Sequence, residues 1–347
     1  MPATAVNHTS HTRILLATAV ATAVGMGLGL APRPTVALAA QSPAAATAAQ
    51  KPPAAPAATA GGAELLPVQG NVHLIAGAGG NIAVQAGEDG ILLVDSGSEA
   101  MSEQVLAAVR RVSASPIRYI LTTALDRDHI GGNVRLAAAG SSLGASRALE
   151  GAEIIGHENV LLRLSKPPAP GAAATPYGAW PTATYFTEEK DFSFNDEAVL
   201  LMHQPAAHTD GDTLVFFRGS DVIATGDVMS MTSFPTIDGA NGGTIQGIIG
   251  ALNQVLRLAV PKRVQEGGTA IIPGHGRLCE EHEVLEYRDM VVIIRDRIKD
   301  LVSKGASLEQ VLQAQPTLDY DARYGAPSGR TFVEAIYREL GSSRAAK

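Results

Sequence analysis

What this 347-residue chain has least of is cysteine, tryptophan and positive charge. Its one thiol, Cys279, excludes an internal disulfide, a thiolate zinc knuckle and an iron–sulfur centre. Any metal must therefore be held by His, Asp and Glu. Aromatic residues make up only 4%, with a single Trp. Lys and Arg number 27 against 34 Asp and Glu, for a formal charge of −7. A nucleic-acid-binding protein normally carries a basic face, so that class is excluded as a partner. The chain is nevertheless not poor in apolar residues: 46% are hydrophobic, which excludes a mostly disordered polymer.

The first 39 residues read as an export signal rather than as structure. Arg13 precedes an uncharged run from Ile14 to Ala31, followed by Pro32, Pro34 and the small-x-small site Ala37-Leu38-Ala39. An uncleaved membrane anchor is the alternative, although Ala, Gly and Thr make this run a weak span. No cysteine lies near the cut, which excludes lipid attachment there. The expectation is an exported protein, periplasmic or secreted, touching a membrane only if the segment is retained. Residues 40–62 are almost entirely Ala, Pro, Thr and Gly, with no hydrophobic periodicity, and read as a disordered linker. Residues 63–347 are left for one folded domain, long enough to bury a sizeable core.

Within that domain, short apolar runs alternate with helical patterns. Val72–Ala76, Ile82–Ala86, Ile91–Val94 and Ile117–Thr122 read as strands, as do Ala198–His203, Thr213–Arg218, Asp221–Thr225 and Ala270–Pro273. Glu99–Val112, Thr244–Ala259, Glu281–Lys304 and Arg330–Leu340 have helical spacing. Some strands are joined by turns and others by helices, so the sheets should be mixed and covered by helices.

Metal-competent residues stand where these strands end. After Ile117–Thr122 comes Ala124-Leu125-Asp126-Arg127-Asp128-His129-Ile130-Gly131-Gly132. Further on are Ala207-His208-Thr209, Gly226-Asp227 and Pro273-Gly274-His275-Gly276. Imidazole and carboxylate are the ligands zinc takes where thiolate is absent. A single His on a strand is usually packed or solvated, but four strand ends bearing His or Asp form a pattern.

In order and setting, these motifs resemble the metallo-β-lactamase superfamily over roughly Glu64 to Gly276. Asp95, in Val94-Asp95-Ser96-Gly97, stands for the first motif, a buried aspartate that braces the metal loop without binding metal. The second motif, HxHxDH, corresponds to the segment Ala124 to His129, the third to His208, the fourth to Asp227 and the fifth to His275. The resemblance implies an α/β (α+β) fold, a four-layer αββα sandwich of two mixed β-sheets flanked by helices, with the metal site at the sheet edge. It also implies zinc and two metal sites. One, on Asp128, His129 and His275 with Asp227 bridging, is complete. The other keeps His208, but Ala124 and Asp126 replace two imidazoles, leaving Asp126 and Asp227 as its oxygen ligands.

The expected function is a metal-dependent hydrolase of an ester, thioester, lactone or amide carbonyl, with Asp126, Asp128 and His208 as its catalytic groups. Two alternatives stand beside it: a catalytically impaired or ligand-binding protein on the same fold, and a β-lactam hydrolase. The partner is a small-molecule substrate, and no partner protein is inferred. Lys166–Phe186, with Tyr177, Trp180, Tyr185 and Phe186, reads either as a lid or pocket wall or as a surface excursion packed by its own aromatics. His157 starts a helix and could line the cleft, but is expected rather to cap that helix or to be solvated, His203 to be structural, Asp210 and Asp212 to shape the turn after His208, and Cys279 to be packed. His73 and His282 have no metal-like company.

Overall fold

The structure is a computed structural model that describes residues 62–143, 151–168, 171 and 173–345. The export segment and all of the linker except residue 62 lie outside the described residues, and so do residues 169, 170 and 172 of the aromatic segment.

The first sheet begins as an antiparallel meander: β1 (Glu64–Gln69), β2 (Val72–Ala78), β3 (Gly80–Gly87) and β4 (Gly90–Val94). After β4 the chain crosses over through α1 (Ser102–Val112) to β5 (Ile117–Leu121), parallel to β4. Two short helices follow, α2 (Arg127–Ile130) and α3 (Asn133–Ala138), before β6 (Glu153–His157) adds in parallel to β5. Then α4 (Glu158–Leu164) leads through an irregular segment to β7 (Ala183–Tyr185), which completes a seven-stranded sheet in sequential order.

The second sheet has five strands: β8 (Glu189–Phe194), β9 (Glu197–Gln204), β10 (Asp212–Phe217), β11 (Val222–Ala224) and, after α5 (Ile245–Leu258), β12 (Ala270–Ile272). Its first four strands pair antiparallel and β12 pairs parallel to β11, so both sheets are mixed. The chain closes with α6 (Glu281–Ser303), α7 (Leu308–Gln313), α8 (Asp321–Tyr324) and α9 (Ala326–Ala345).

Strand alternation decides which side chains go to which layer. On β4, Leu92 and Val94 join the core between the sheets, where they meet Val199, Leu201, Val215 and Phe217. Ile91 and Leu93 point the other way, onto Val105, Ala108 and Val109 of α1. On the second sheet, Leu214 and Ile223 face outward onto Ile248, Leu252 and Val255 of α5 and onto Tyr287, Val291 and Ile294 of α6. Three apolar layers thus separate four layers of backbone, the αββα sandwich that the resemblance implied.

Local chemistry sets the helix starts. The Thr244 hydroxyl accepts from the Gly247 N–H to cap α5, and the Glu283 carboxylate accepts from the Glu280 N–H at the start of α6. The helix expected over Glu99–Val112 is a 3₁₀ turn, Glu99–Met101, running into α1. The last helix is longer than its sequence pattern. No apolar run marked β8, whose Glu-Lys-Asp-Phe-Ser-Phe segment is an edge strand with only Phe194 fully buried. An edge strand needs charge on its outer side, and that masks its alternation.

Candidate functional site

Five loops at one edge of the sandwich carry the site, those after β4, β5, β9, β11 and β12. The first follows β4, where Asp95 takes φ = 66°, a left-handed conformation that Asp tolerates better than most residues. Its buried carboxylate accepts from the Thr123 N–H at 2.8 Å, from the Thr123 hydroxyl at 2.5 Å and from His129 Nδ1 at 2.8 Å. Fixing Nδ1–H in this way turns Nε2 of His129 towards the cleft. The second loop runs through α2 and stays tight because Gly132 sits against the first: a Cβ there would lie 2.3 Å from the Ser96 carbonyl oxygen.

Side chains from these loops converge in two groups. Asp128, His129 and His275 offer ligand atoms that all lie within 4.8 Å of one another, and so do Asp126, His208 and Asp227. Asp227 joins the groups: its Oδ1 is 3.1 Å from His129 Nε2 and 3.3 Å from His275 Nε2, and its Oδ2 is 3.9 Å from His208 Nε2. His275 Nε2 lies 3.3 Å from Asp128 Oδ2. Across the cleft, His208 Nε2 meets Asp126 Oδ2 at 2.8 Å, while its Nδ1 meets the Thr236 carbonyl at 2.9 Å. Asp126 therefore occupies a ligand position, whereas Ala124 is fully buried and offers only a methyl group.

The electrostatics are those of a cation site. Burial alone would lower the pKa of His129, but the Asp227 and Asp95 carboxylates overcome it and hold the imidazole well above its usual range. Burial likewise opposes protonation of His208, yet the hydrogen bond to Asp126 and the charges of Asp212 and Asp227 raise it to about 10. His275 is raised chiefly by its hydrogen bond to Asp227. Burial works against ionisation of Asp227, but the surrounding imidazoles keep it well below the usual carboxylate range. The carboxylates that favour a proton on these nitrogens would equally favour a divalent ion there. The imidazole and carboxylate donors, converging within 4.8 Å, fit a metal such as zinc.

The cleft above these groups has a volume of about 290 Å³. Besides five of the six grouped residues, all but the buried His129, its walls include Ser230, Thr232, Ser233, Phe234, Pro235 and Thr236. The sequence reading missed this wall, although Ser230-Met231-Thr232-Ser233 just after Gly226-Asp227 is a run unusually rich in hydroxyls. It also missed Thr123 and the Thr236 carbonyl, which hold Asp95 and His208 in place.

Other singled-out residues fall outside the cleft. His157 is the N-cap of α4, accepting from the Asn159 N–H, and its ring stacks on His203 at 3.5 Å. Burial first, and then the neighbouring His203, lower its pKa to about 4. Asp212 accepts from the N–H and hydroxyl of Thr209, and Asp210 pairs with Arg163, so both shape the turn after His208. Cys279 is buried, which pushes its thiol pKa up. In the aromatic segment, Asn133 Nδ2 donates to the Ala179 carbonyl and Trp180 packs against Tyr177. None of its described residues lines the cleft.

A mixed αββα sandwich with a His/Asp cluster at its edge defines a class of metal-site proteins. Residues 67–275, more than half of the chain, match the metallo-beta-lactamase superfamily, and the chain belongs to that superfamily. Among solved structures, the stereoselective inverting sec-alkylsulfatase Pisa1 from Pseudomonas sp. superposes with a TM-score of 0.61 at 15% identity, covering 82% of this chain and 52% of that one. A double mutant of the same enzyme gives 0.62. A metallo-beta-lactamase from Pontibacter korlensis gives 0.50 at 13% identity, covering 66% of this chain and 99% of that one. The chain thus spans about half the length of the alkylsulfatase. Comparison with curated protein sequences gives no match.

Proposed function

We propose that this protein is an exported, metal-dependent hydrolase in which water attacks an ester, thioester, lactone or amide carbonyl. The observation that carries this reading is the convergence of Asp128, His129 and His275 beside Asp227 at the open edge of the sandwich. These four residues would hold one zinc ion tightly, while Asp126, His208 and Asp227 would hold a second weakly. Zinc bound there supplies Lewis acidity and lowers the pKa of water to about 7.

The chain's own residues divide the remaining work. Asp95 keeps the proton of His129 on Nδ1 and so keeps Nε2 facing the cleft. Asp126, 39% exposed, points its carboxylate into the cleft and takes the proton of the attacking water. His208 holds that carboxylate through Nε2 and is itself held by the Thr236 carbonyl. Asp126 then returns the proton to the leaving group. The uncharged run before Ala37-Leu38-Ala39 supports export.

Loss of one imidazole to the buried methyl of Ala124 favours a second reading, an impaired or ligand-binding protein. One experiment separates the two. Protein purified without added metal is assayed for zinc and tested on ester, thioester, lactone, β-lactam and secondary alkyl sulfate substrates. About one equivalent of metal with turnover that Asp126→Ala abolishes supports the hydrolase. Metal without turnover of any substrate leaves the binding protein, and absence of both refutes the site.

A further inference from the structure

We infer that Asn81, near the start of β3, is the positioning residue of the tighter metal group. Its side chain and its backbone N–H hold the loop that carries His275 at the distance from Asp128 and His129 that a shared ion needs. The inference rests on the metal site of the hydrolase reading and adds the residue that gauges it.

The loop Pro273-Gly274-His275-Gly276 has little of its own to give it shape. Gly274 and Gly276 have no side chain to pack and lose the most freedom on ordering, and Gly276 takes φ = 93°. Hydrogen bonds to its carbonyls fix it instead. The His275 carbonyl accepts from the Met231 N–H at 2.9 Å. The other three carbonyls accept from one residue. Asn81 donates through Nδ2 to the Pro273 and Gly276 carbonyls, each at 2.8 Å, and through its backbone N–H to the Gly274 carbonyl at 2.8 Å. Asn81 is 7% exposed, so water is poorly placed to replace these bonds. They bracket His275 and cross the sandwich, because β3 belongs to the first sheet and β12, which leads into the loop, to the second.

His275 depends on its backbone more than the other imidazoles do. His129 and His208 each have an oxygen on Nδ1, from the Asp95 carboxylate and the Thr236 carbonyl, that orients the ring. Among the described residues nothing holds Nδ1 of His275. Its polar contacts run through Nε2, to Asp128 and Asp227, both at 3.3 Å. The turn before Asn81 supplies the other half of the gauge. A Cβ on Gly80 would lie 2.9 Å from His129 Cε1 and 3.0 Å from the Asp128 carbonyl oxygen, so the turn is seated on the second loop. The Ser98 N–H, in the loop after β4, donates to the Ala78 carbonyl at 2.7 Å and ties down the same turn. Gly80 against His129 and Asn81 bonded around His275 are adjacent residues of one strand. The spacing between the two imidazoles is therefore set across a single peptide.

The test compares Asn81→Ala with Asn195→Gly. Asn195 is a buried amide beside the other end of β3, where it donates to the Gln85 side chain and the Gly90 carbonyl, and its φ of 52° suits Gly. Zinc affinity is read by competition with a chromophoric chelator, and ligand geometry by the visible absorption of the cobalt(II)-substituted protein. Asn81→Ala should weaken zinc about tenfold and change the cobalt band. Asn195→Gly should lower the urea midpoint and leave both metal readings as in the wild type. Unchanged zinc affinity in folded Asn81→Ala overturns the proposal, and so does an equal loss in both variants, which marks general loosening. Should Asn81→Ala not fold, Asn81→Gln replaces it. Its amide, one methylene longer, cannot keep both bonds without displacing the His275 loop, so an affinity within about twofold of wild type overturns the proposal there as well. Failure of both variants to fold also overturns it, since Asn81 then serves the fold rather than the site. Hydrolysis by the wild type is measured in parallel. Zinc binding that Asn81→Ala weakens, without turnover of any substrate, refutes the hydrolase reading and keeps the role of Asn81. Turnover with zinc affinity unchanged in Asn81→Ala does the reverse.

Discussion

Replacing Asp95 by Asn tests the claim that this residue sets the tautomer of His129. Asn is nearly isosteric and tolerates the left-handed φ of 66°, so the backbone has no cause to move. The amide oxygen can still accept from the Thr123 N–H, now at 2.8 Å. Its NH₂ group, however, would face His129 Nδ1, where a carboxylate oxygen accepts at 2.8 Å in the wild type. Two donors cannot share that contact. The imidazole must move its proton to Nε2, the nitrogen that points at Asp227 from 3.1 Å and is needed for a metal. His129 and Asp95 are 0% and 3% exposed, so water cannot relieve the conflict. Loss of such an outer hydrogen-bond partner costs about 10- to 100-fold in metal affinity, about 1.4–2.8 kcal/mol. Without metal, loss of a hydrogen bond to a charged group should cost about 1.5–3 kcal/mol of stability. Zinc affinity measured by competition with a chromophoric chelator, alongside urea unfolding of the metal-free protein, gives both quantities. A zinc affinity within about twofold of wild type in a folded variant would refute the reasoning.

His275→Ala removes a ligand from the tighter group at a side chain that is 29% exposed, so tight zinc binding and hydrolysis should be lost. Metal-free stability should stay within about 1 kcal/mol by urea unfolding. Gly243→Ala would bring a Cβ to 1.9 Å from the His208 carbonyl oxygen, displacing that loop. It should destabilise the fold by about 1–3 kcal/mol and weaken the second metal before the first, read by unfolding and zinc titration. The pKa of His208, raised to about 10 from its ordinary 6.5, gives the metal-free protein stability that is fully present below about pH 6.5. That stability is lost as pH rises towards 10, so the urea midpoint of the metal-free protein should fall across this window while that of the zinc-loaded protein falls less. Zinc binding displaces the protons held by these histidines, so affinity should rise with pH, and calorimetry in buffers of different ionisation enthalpy should detect proton release.

How far the site is legible along the chain depends on the range of the interaction that makes it. Asp128, His129, His208, Asp227 and His275 each follow an apolar run that ends abruptly. A strand end is a local event, set by where alternation stops and polar or Gly residues begin. Likewise, the lack of cysteine pairs by itself restricted any metal to nitrogen and oxygen donors. The layer assignments of β4 were written into Ile91-Leu92-Leu93-Val94, since a buried strand between helices and a second sheet must be apolar on both faces. The strand β8 was hidden for the converse reason: an exposed edge permits charge.

Packing decided the rest. Asp126 could be read from the sequence as a lost histidine or as an oxygen ligand. Only the approach of the two sheets sets it 2.8 Å from His208, a residue 82 positions away. The same holds for the Thr236 carbonyl on His208 Nδ1, for Thr123 beneath Asp95, and for the hydroxyl wall from Ser230 to Thr236 facing three carboxylates. Periodicity and turn chemistry act over a few residues and fix the elements and the residue types at their ends. Which ends meet, and at what distance, depends on how the interlocking apolar faces of α1, the two sheets, α5 and α6 settle against one another, a property of the whole core.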